Sequence, residues 1–409
     1  MKDISEINNE IFKAASVQEL MSQFPHITES ISSESEYDKL GKVQFLPLNR
    51  LNSSAERSKC LQVISEVIES GCFTSGPFIA EIENYLCSFY KADTCIASNS
   101  GTDALKIALK AAGVSTGDEV ILPLNSFAAT ENSVMAIGAK PVFANIDESY
   151  NMVPGEINRL KTPRTKAILP VCLYGSTKNL REIYHESKQQ DVPVIVDAAQ
   201  CFGVKSVIDH CDLMILSFNP FKNIGSFGKS GAVLTRSSKL ASLARQYSYH
   251  GFAEGKKNIK AQDWGLNSRM DNMQAATLKV KLTHFEKNSA KRCFLAARYI
   301  LSLRHLEAEL KLPTETLENT WHLFPLYLKR KKRGELLQFV KVRNVELDIY
   351  YPVLSHCGSH EFAVHYPNHE QFIPSEHIHC RLIHLPLHNH MSLQEQDIVI
   401  EVLHAFFRS

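Results

Sequence analysis

The chain is 409 residues long, with 45 basic and 44 acidic residues, a formal charge of +1, and 44% hydrophobic against 22% charged residues. That balance leaves no electrostatic footprint for nucleic acid or an acidic membrane surface, while the composition supports a sizeable globular core. Ten cysteines are scattered without a CxxC pair, and no apolar run approaches the ~18 residues of a membrane span. A cytoplasmic protein with reduced thiols and no membrane partner is therefore expected.

The opening Met1-Lys-Asp-Ile-Ser-Glu turns acidic too early for a secretory signal. Residues 5–24 carry a rough apolar stripe (Ile7, Ile11, Phe12, Ala15, Val17, Leu20, Met21) and predict one amphipathic helix. The Ser/Glu-rich stretch 28–37 reads as a linker. Residues 1–44 thus form an N-terminal extension that packs on the body or on a partner subunit.

From about 45 to 275 the pattern alternates between helix and strand. Helices are predicted over 53–69, 78–90 and 101–112. Short apolar runs at 94–97, 119–122, 140–143, 166–171, 192–196 and 212–218 suit strands buried on both faces of a mostly parallel sheet. Helical crossovers between them complete an α/β unit. A long helix then begins near 273 and continues to 303. It leads into a smaller C-terminal α+β unit, 276–409, with strands near 322–328 and 345–350 and helices near 333–342 and 393–407.

Four segments carry chemistry. In Ser98-Asn-Ser-Gly-Thr-Asp-Ala-Leu105 a strand ends in a polar turn and a helix begins. Its free N–H groups and positive end form an anion site, with Ser100, Gly101 and Thr102 as phosphate ligands; an ordinary capped helix is the alternative. In Val194-Ile-Val-Asp-Ala-Ala-Gln200 an acid ends a buried strand, where α/β sheets bind ligands. A carboxylate there pairs with a protonated ring nitrogen or merely caps a helix.

In Ser217-Phe-Asn-Pro-Phe-Lys-Asn-Ile-Gly225 a lysine occupies a Pro/Gly-bounded loop directly after an apolar strand. In a dry site such a lysine loses pKa and becomes an amine nucleophile for carbonyls; in a solvated loop it does nothing. Lys222 follows Asp197 by one strand and its connection, so the two can face one crevice. Finally, Gly265-Leu-Asn-Ser-Arg-Met-Asp-Asn-Met-Gln-Ala-Ala276 is a polar loop leading into an Ala-rich helix, where Asn267 and Arg269 offer donors or cap the helix.

In this order and spacing the four segments resemble the DegT/DnrJ/EryC1/StrS family of sugar aminotransferases, within the fold-type-I pyridoxal-phosphate (PLP) enzymes. The resemblance runs from about Phe45 to the C-terminus. It includes Gly71-Cys-Phe-Thr-Ser-Gly-Pro77, Gly117-Asp-Glu-Val-Ile-Leu-Pro123, Pro170-Val-Cys-Leu-Tyr-Gly175, Trp321-His-Leu-Phe324 and Leu385-Pro-Leu-His388. The extension lies outside the family pattern.

The resemblance implies a large PLP-binding domain with a mixed, mostly parallel sheet, and a small C-terminal domain. It also implies roles. Gly101, Thr102 and Ser217 bind the cofactor phosphate. Phe127 stacks on the pyridine ring. Asp197 partners the ring nitrogen and Gln200 the ring hydroxyl. Lys222 is the Schiff-base lysine, and Asn267 reaches the phosphate of a neighbouring subunit, so that a homodimer shares its active sites. Tyr174 and His322 match family positions without an assigned role.

The implied reaction moves an amino group from an amino acid, L-glutamate, to a keto-sugar. Candidate acceptors are 8-oxo-3-deoxy-octulosonate, 3-oxo-glucose 6-phosphate and a nucleotide-linked keto-hexose. The alternatives are a PLP-dependent sugar dehydratase, which has histidine where Lys222 stands, and a non-catalytic PLP-binding regulator. The C-terminal histidines, with Cys357 and Cys380, fit no zinc pattern of two close pairs, and no metal is expected. The basic run at 329–333 reads as a solvated turn.

Overall fold

A computed structural model describes residues 1–32, 41–256, 258–314, 316–358 and 369–409. Seven strands make the central sheet: β1 (Thr94–Ser98), β2 (Glu119–Pro123), β3 (Lys140–Ala144), β4 (Thr165–Ile168), β5 (Ile195–Asp197), β6 (Leu213–Ser217) and β7 (Gly231–Thr235). One half is ordered β3-β2-β4 and the other β5-β6-β7-β1. Parallel bridges from Ile168 to Val194 and from Val171 to Asp197 join them. Only β7 runs against its neighbours.

β2 and β6 are buried along their whole length, which is why they read as unbroken apolar runs rather than alternating ones. The strand of this sheet missing from the sequence reading is β7. It follows the Lys222 loop after a short turn, so no helix-length spacing announces it. Gly231 opens it because a Cβ there would stand 2.6 Å from the Gly101 nitrogen.

The helices begin and end where local chemistry dictates. The helix Ser54–Ser70 starts with a reciprocal capping box between Ser53 and Glu56 and stops at Gly71, at φ 66°. A second capping box, Ser392 with Glu395, starts Leu393–Arg408. The 32-residue helix Asn272–Leu303 is buried on every side over residues 291–299. The boundary placed at 275/276 falls inside its first turn.

Strands β8 (Leu310–Lys311), β9 (Phe324–Leu328) and β10 (Leu382–Leu385) form an antiparallel sheet in the C-terminal part. The strand expected over 345–350 is not formed. That segment contributes only single bridges, Val345 to Val43 and Asp348 to His384, and β10 takes the place beside β9.

The N-terminal extension is not one helix. It folds as Ile4–Ile11, Val17–Gln23 and Pro25–Ser32, broken where Ser16 caps the second helix and Pro25 begins the third. Part of the expected linker is therefore helical, and residues 33–40 lie outside the described ones. Ile4, Ile7, Ile11, Leu20, Ile27 and Ile31 join the same apolar cluster as Phe285, Trp321 and Phe324. Asn8 donates to the carbonyls of Leu317 and Asn319, both at 2.8 Å, and accepts from the Trp321 indole at 3.1 Å. Phe12 stacks on Trp321, centroids 5.3 Å apart.

Gly203 seats the first of these helices. Its carbonyl accepts from the Ile4 N–H at 3.1 Å. At φ +112°, a Cβ on it would lie 2.6 Å from Ile4 and 2.8 Å from Phe285. Gly203→Ala therefore adds a strained backbone to a clash and should destabilise the fold by about 1–3 kcal/mol, read as a lower calorimetric melting temperature. An unchanged melting temperature would mean that the helix yields freely at this contact.

Candidate active site

The C-terminal ends of β1, β5 and β6 converge, and each carries one part of the site. After β1, Ser100 caps the helix Gly101–Ala111 by accepting from the Asp103 N–H at 3.1 Å. A Cβ on Gly101 would stand 2.8 Å from the Ser217 Cβ. Glycine thus lets the positive helix end close on the hydroxyl that terminates β6. Thr102 occupies the first helical turn. Free N–H groups, a hydroxyl and a helix N-terminus together form an anion cradle.

Asp197 ends β5 and is buried. Its carboxylate accepts from the Thr130 hydroxyl at 3.0 Å and the Ala199 N–H at 3.1 Å. Burial raises its pKa; the Ala199 N–H, the Lys222 charge and the Thr130 hydroxyl oppose that rise without cancelling it. The carboxylate therefore lacks a full complement of positive partners.

Lys222 sits in the tight loop after β6. Its N–H bonds to the Asn219 carbonyl at 2.9 Å, and a Cβ on Gly225 would meet Asn219 and Pro220 backbone at 2.7 Å. Burial brings the lysine down to about 8, with Asp197 pulling the other way. Next to it, Asn223 accepts from the His322 Nδ1–H through its amide oxygen at 2.7 Å and donates through its amide nitrogen to the Thr320 carbonyl at 2.8 Å. Burial and the charge of Lys222 push His322 well below its ordinary value, which makes it a neutral imidazole.

Gln200 accepts from the Tyr174 N–H at 2.7 Å and donates to the Tyr351 hydroxyl at 2.8 Å. Tyr174 stands at φ 59°, in the left-handed region. Its buried hydroxyl has no partner among the described residues, and its ring stacks at 16° on that of Tyr351. Phe127 is 55% exposed and lies 6.1 Å from Tyr351, so its face is open toward the crevice mouth.

The structure thus brings Gly101, Thr102, Ser217, Asp197, Gln200 and Lys222 to one end of the sheet, with Phe127 at the mouth. It does not bring Asn267 there. That side chain is exposed, in a separate cleft with Asn99, Tyr249 and Arg269. Sequence reading assigned no role to Thr130 or Tyr351. Thr130 bonds Asp197 only through the fold, and Tyr351 followed a segment mistaken for a strand. His384, beside Tyr174 at 4.6 Å, was likewise invisible without the small sheet.

The residues fit a phosphate-bearing aromatic aldehyde with a basic ring nitrogen. The cradle fits the phosphate, the under-partnered Asp197 fits a ring cation, and the lowered amine of Lys222 fits the carbonyl.

The comparisons agree. The model of the DegT/DnrJ/EryC1/StrS aminotransferase family matches residues 54–404. The 3-oxo-glucose-6-phosphate:glutamate aminotransferase of Bacillus subtilis is 39% identical over 369 residues, which is 89% of this chain and 84% of that protein. The UDP-2-acetamido-2-deoxy-3-oxo-D-glucuronate aminotransferase of Pseudomonas aeruginosa is 37% identical, covering 71% of this chain and 81% of that one. The crystal structure of NtdA from Bacillus subtilis with bound cofactor PMP superposes with a TM-score of 0.90 at 37% identity, over 94% of this chain and 89% of that one.

The depressed lysine makes a prediction that needs no cofactor. An amine reacts as its free base, so modification of Lys222 by trinitrobenzenesulfonate should rise with pH and reach half its plateau near pH 8. Peptide mapping of the cofactor-free protein reads the rate at this residue. An inflection at the ordinary lysine value of about 10.4 would show that the amine is not desolvated.

Proposed function

The chain belongs to the DegT/DnrJ/EryC1/StrS aminotransferase family and is a PLP-dependent sugar aminotransferase; we propose that its acceptor is a phosphorylated 3-keto-hexose and its donor L-glutamate. The observation that carries this reading is the similarity to the 3-oxo-glucose-6-phosphate:glutamate aminotransferase along 89% of the chain. The family model begins at residue 54, while the NtdA match covers 94% of the chain and so reaches beyond the family model's ends.

When bound, PLP supplies an electron sink that lets an amino acid lose its α-proton. The chain's own residues do the rest. Gly101, Thr102 and Ser217 hold the phosphate at the helix N-terminus. Asp197, kept dry at the end of β5, keeps a proton on the ring nitrogen. Thr130 fixes the orientation of that carboxylate. Lys222 would hold the cofactor's carbonyl carbon and, as a free amine, would take up and return the donor's α-proton. Its lowered pKa leaves an appreciable fraction unprotonated near neutrality, as a general base requires. Neutral His322 holds Asn223 and with it the turn beside Lys222.

Asn267 completes the reading. It is exposed and lines a cleft other than that of its own Lys222, which supports a homodimer in which it reaches the partner subunit's phosphate cradle.

The acceptor is tested with a panel of keto-sugars, glutamate as donor, and mass spectrometry of the products. A 3-keto-hexose 6-phosphate should be aminated at least about tenfold more efficiently than a nucleotide-linked keto-hexose, a difference of ~1.4 kcal/mol. Lys222→Ala should aminate neither. Preference for the nucleotide sugar would overturn the acceptor while leaving the reaction type intact.

Shared sites are tested by mixing Lys222→Ala with Asn267→Ala, after confirming that each alone is inactive. A mixed dimer holds one doubly impaired site and one intact site, so activity should return to about half the sites in each heterodimer. Heterodimers seen by native mass spectrometry without recovered turnover would show that Asn267 serves its own subunit.

A further inference from the structure

Away from the lysine cleft, the fold assembles His356, Cys357, His369 and Glu376 so that one ligand atom from each lies within 4.8 Å of all the others. His356 and Cys357 belong to the short helix Ser355–Gly358, and Glu376 to the helix Ile373–His379. His356 Nε2 is 2.8 Å from the Glu376 carboxylate, and His369 Nδ1 is 3.6 Å from the same oxygen. The two imidazoles lie 4.8 Å apart. The His356 side chain is wholly buried, at 0% exposure, and its Nδ1 has no partner among the described residues.

A buried imidazole with an orphaned nitrogen, beside a thiol, a carboxylate and a second imidazole, is poorly explained by packing. Sequence reading looked for two close pairs and found none. The set is one adjacent pair plus two residues that only the fold returns to it.

We propose that these four side chains bind one zinc ion. Two nitrogens, one sulfur and one oxygen are a borderline donor set that suits zinc rather than magnesium or calcium. Bond lengths of about 2.0–2.3 Å put the ligand atoms of a tetrahedral site about 3.3–3.7 Å apart, so the widest separations, up to 4.8 Å, close by about 1 Å, while His356 Nε2 and the Glu376 oxygen, 2.8 Å apart, give up their direct contact and open by about 0.5 Å. All four positions are filled by protein, which makes the site structural and leaves none open for catalysis.

The ion ties the chain on both sides of residues 359–368 to the helix Ile373–His379. The same helix holds the Tyr351 carbonyl through His379 Nε2 at 2.8 Å, and the Ser355 N–H bonds to the Leu124 carbonyl at 3.0 Å. Zinc therefore secures the segment that brings Tyr351 to Gln200. The binding of zinc does not depend on which sugar the enzyme aminates.

The test is the zinc content of the untagged holoenzyme, grown with zinc, desalted and measured by plasma mass spectrometry. About one zinc per chain is expected. Cys357→Ser with His369→Asn should weaken zinc binding by more than about tenfold, since even a lost outer-shell partner costs 10–100-fold. His377→Asn with Cys380→Ser, on the same helix and its end but outside the cluster, should keep the metal. Cobalt(II) loaded into the unsubstituted enzyme should show thiolate charge transfer and tetrahedral d–d bands, which needs no variant to fold. The proposal is overturned if the holoenzyme neither retains zinc nor takes it from a competing chromophore. It is also overturned if zinc persists at full stoichiometry in the Cys357/His369 variant, or if cobalt shows no thiolate band.

Discussion

A carboxylate buried at the end of a parallel strand is an expensive thing to keep ionised, and the site is organised around that cost at Asp197. Two hydrogen bonds and the charge of Lys222 do not outweigh its desolvation. The same burial strips Lys222 of part of its proton affinity. Each group is thus held away from its ordinary state by the dryness they share. A ligand carrying a cation toward Asp197 and a carbonyl toward Lys222 relieves both at once. The fold supplies the dryness: β5 and β6 are buried throughout, and the loop after β6 folds back tightly enough to hold the lysine against the strand ends.

Behind that loop lies a chain of contacts reaching the N-terminal extension. Asn8 and Phe12 fix Trp321 and its neighbours. Thr320 donates to the Gln200 carbonyl at 2.6 Å and accepts from Asn223 through its own carbonyl. His322 then meets Asn223, the residue beside Lys222. A Cβ on Gly175 would come within 2.2 Å of the Thr320 hydroxyl, so this crossing admits no side chain. The extension, outside the family model, is wired to the backbone that positions the lysine loop and Gln200.

The site was readable in sequence wherever chemistry and strand ends coincide. Asp197 and Lys222 each follow an unbroken apolar run, and Gly101 follows a third. What was not readable was whatever needed tertiary return. β7 has no helical spacer to mark it. Residues 345–350 have strand composition, but β10 pairs with β9 and leaves them as a connector. Thr130 and Tyr351 acquire roles only because distant segments close on Asp197 and Gln200. The extension's stripe was real, yet Ser16 and Pro25 are stronger local signals than a rough period, and three short helices result.

Gln200 shows how the site accommodates both its own architecture and a ligand. Its amide oxygen is engaged by the Tyr174 N–H and one of its two amide hydrogens by the Tyr351 hydroxyl. An amide nitrogen has two hydrogens to donate. One is therefore left to donate to a ligand without breaking an existing bond among the described residues. The strained φ of Tyr174 follows from the same arrangement. Turning the backbone into the left-handed region directs its N–H to Gln200 while its ring stacks on Tyr351. Replacing Gln200 by glutamate would remove both donors and set a second carboxylate beside Asp197, where burial already disfavours the first. The amide is therefore the one side chain of this length that satisfies the neighbours without adding to the charge that the site can least bear.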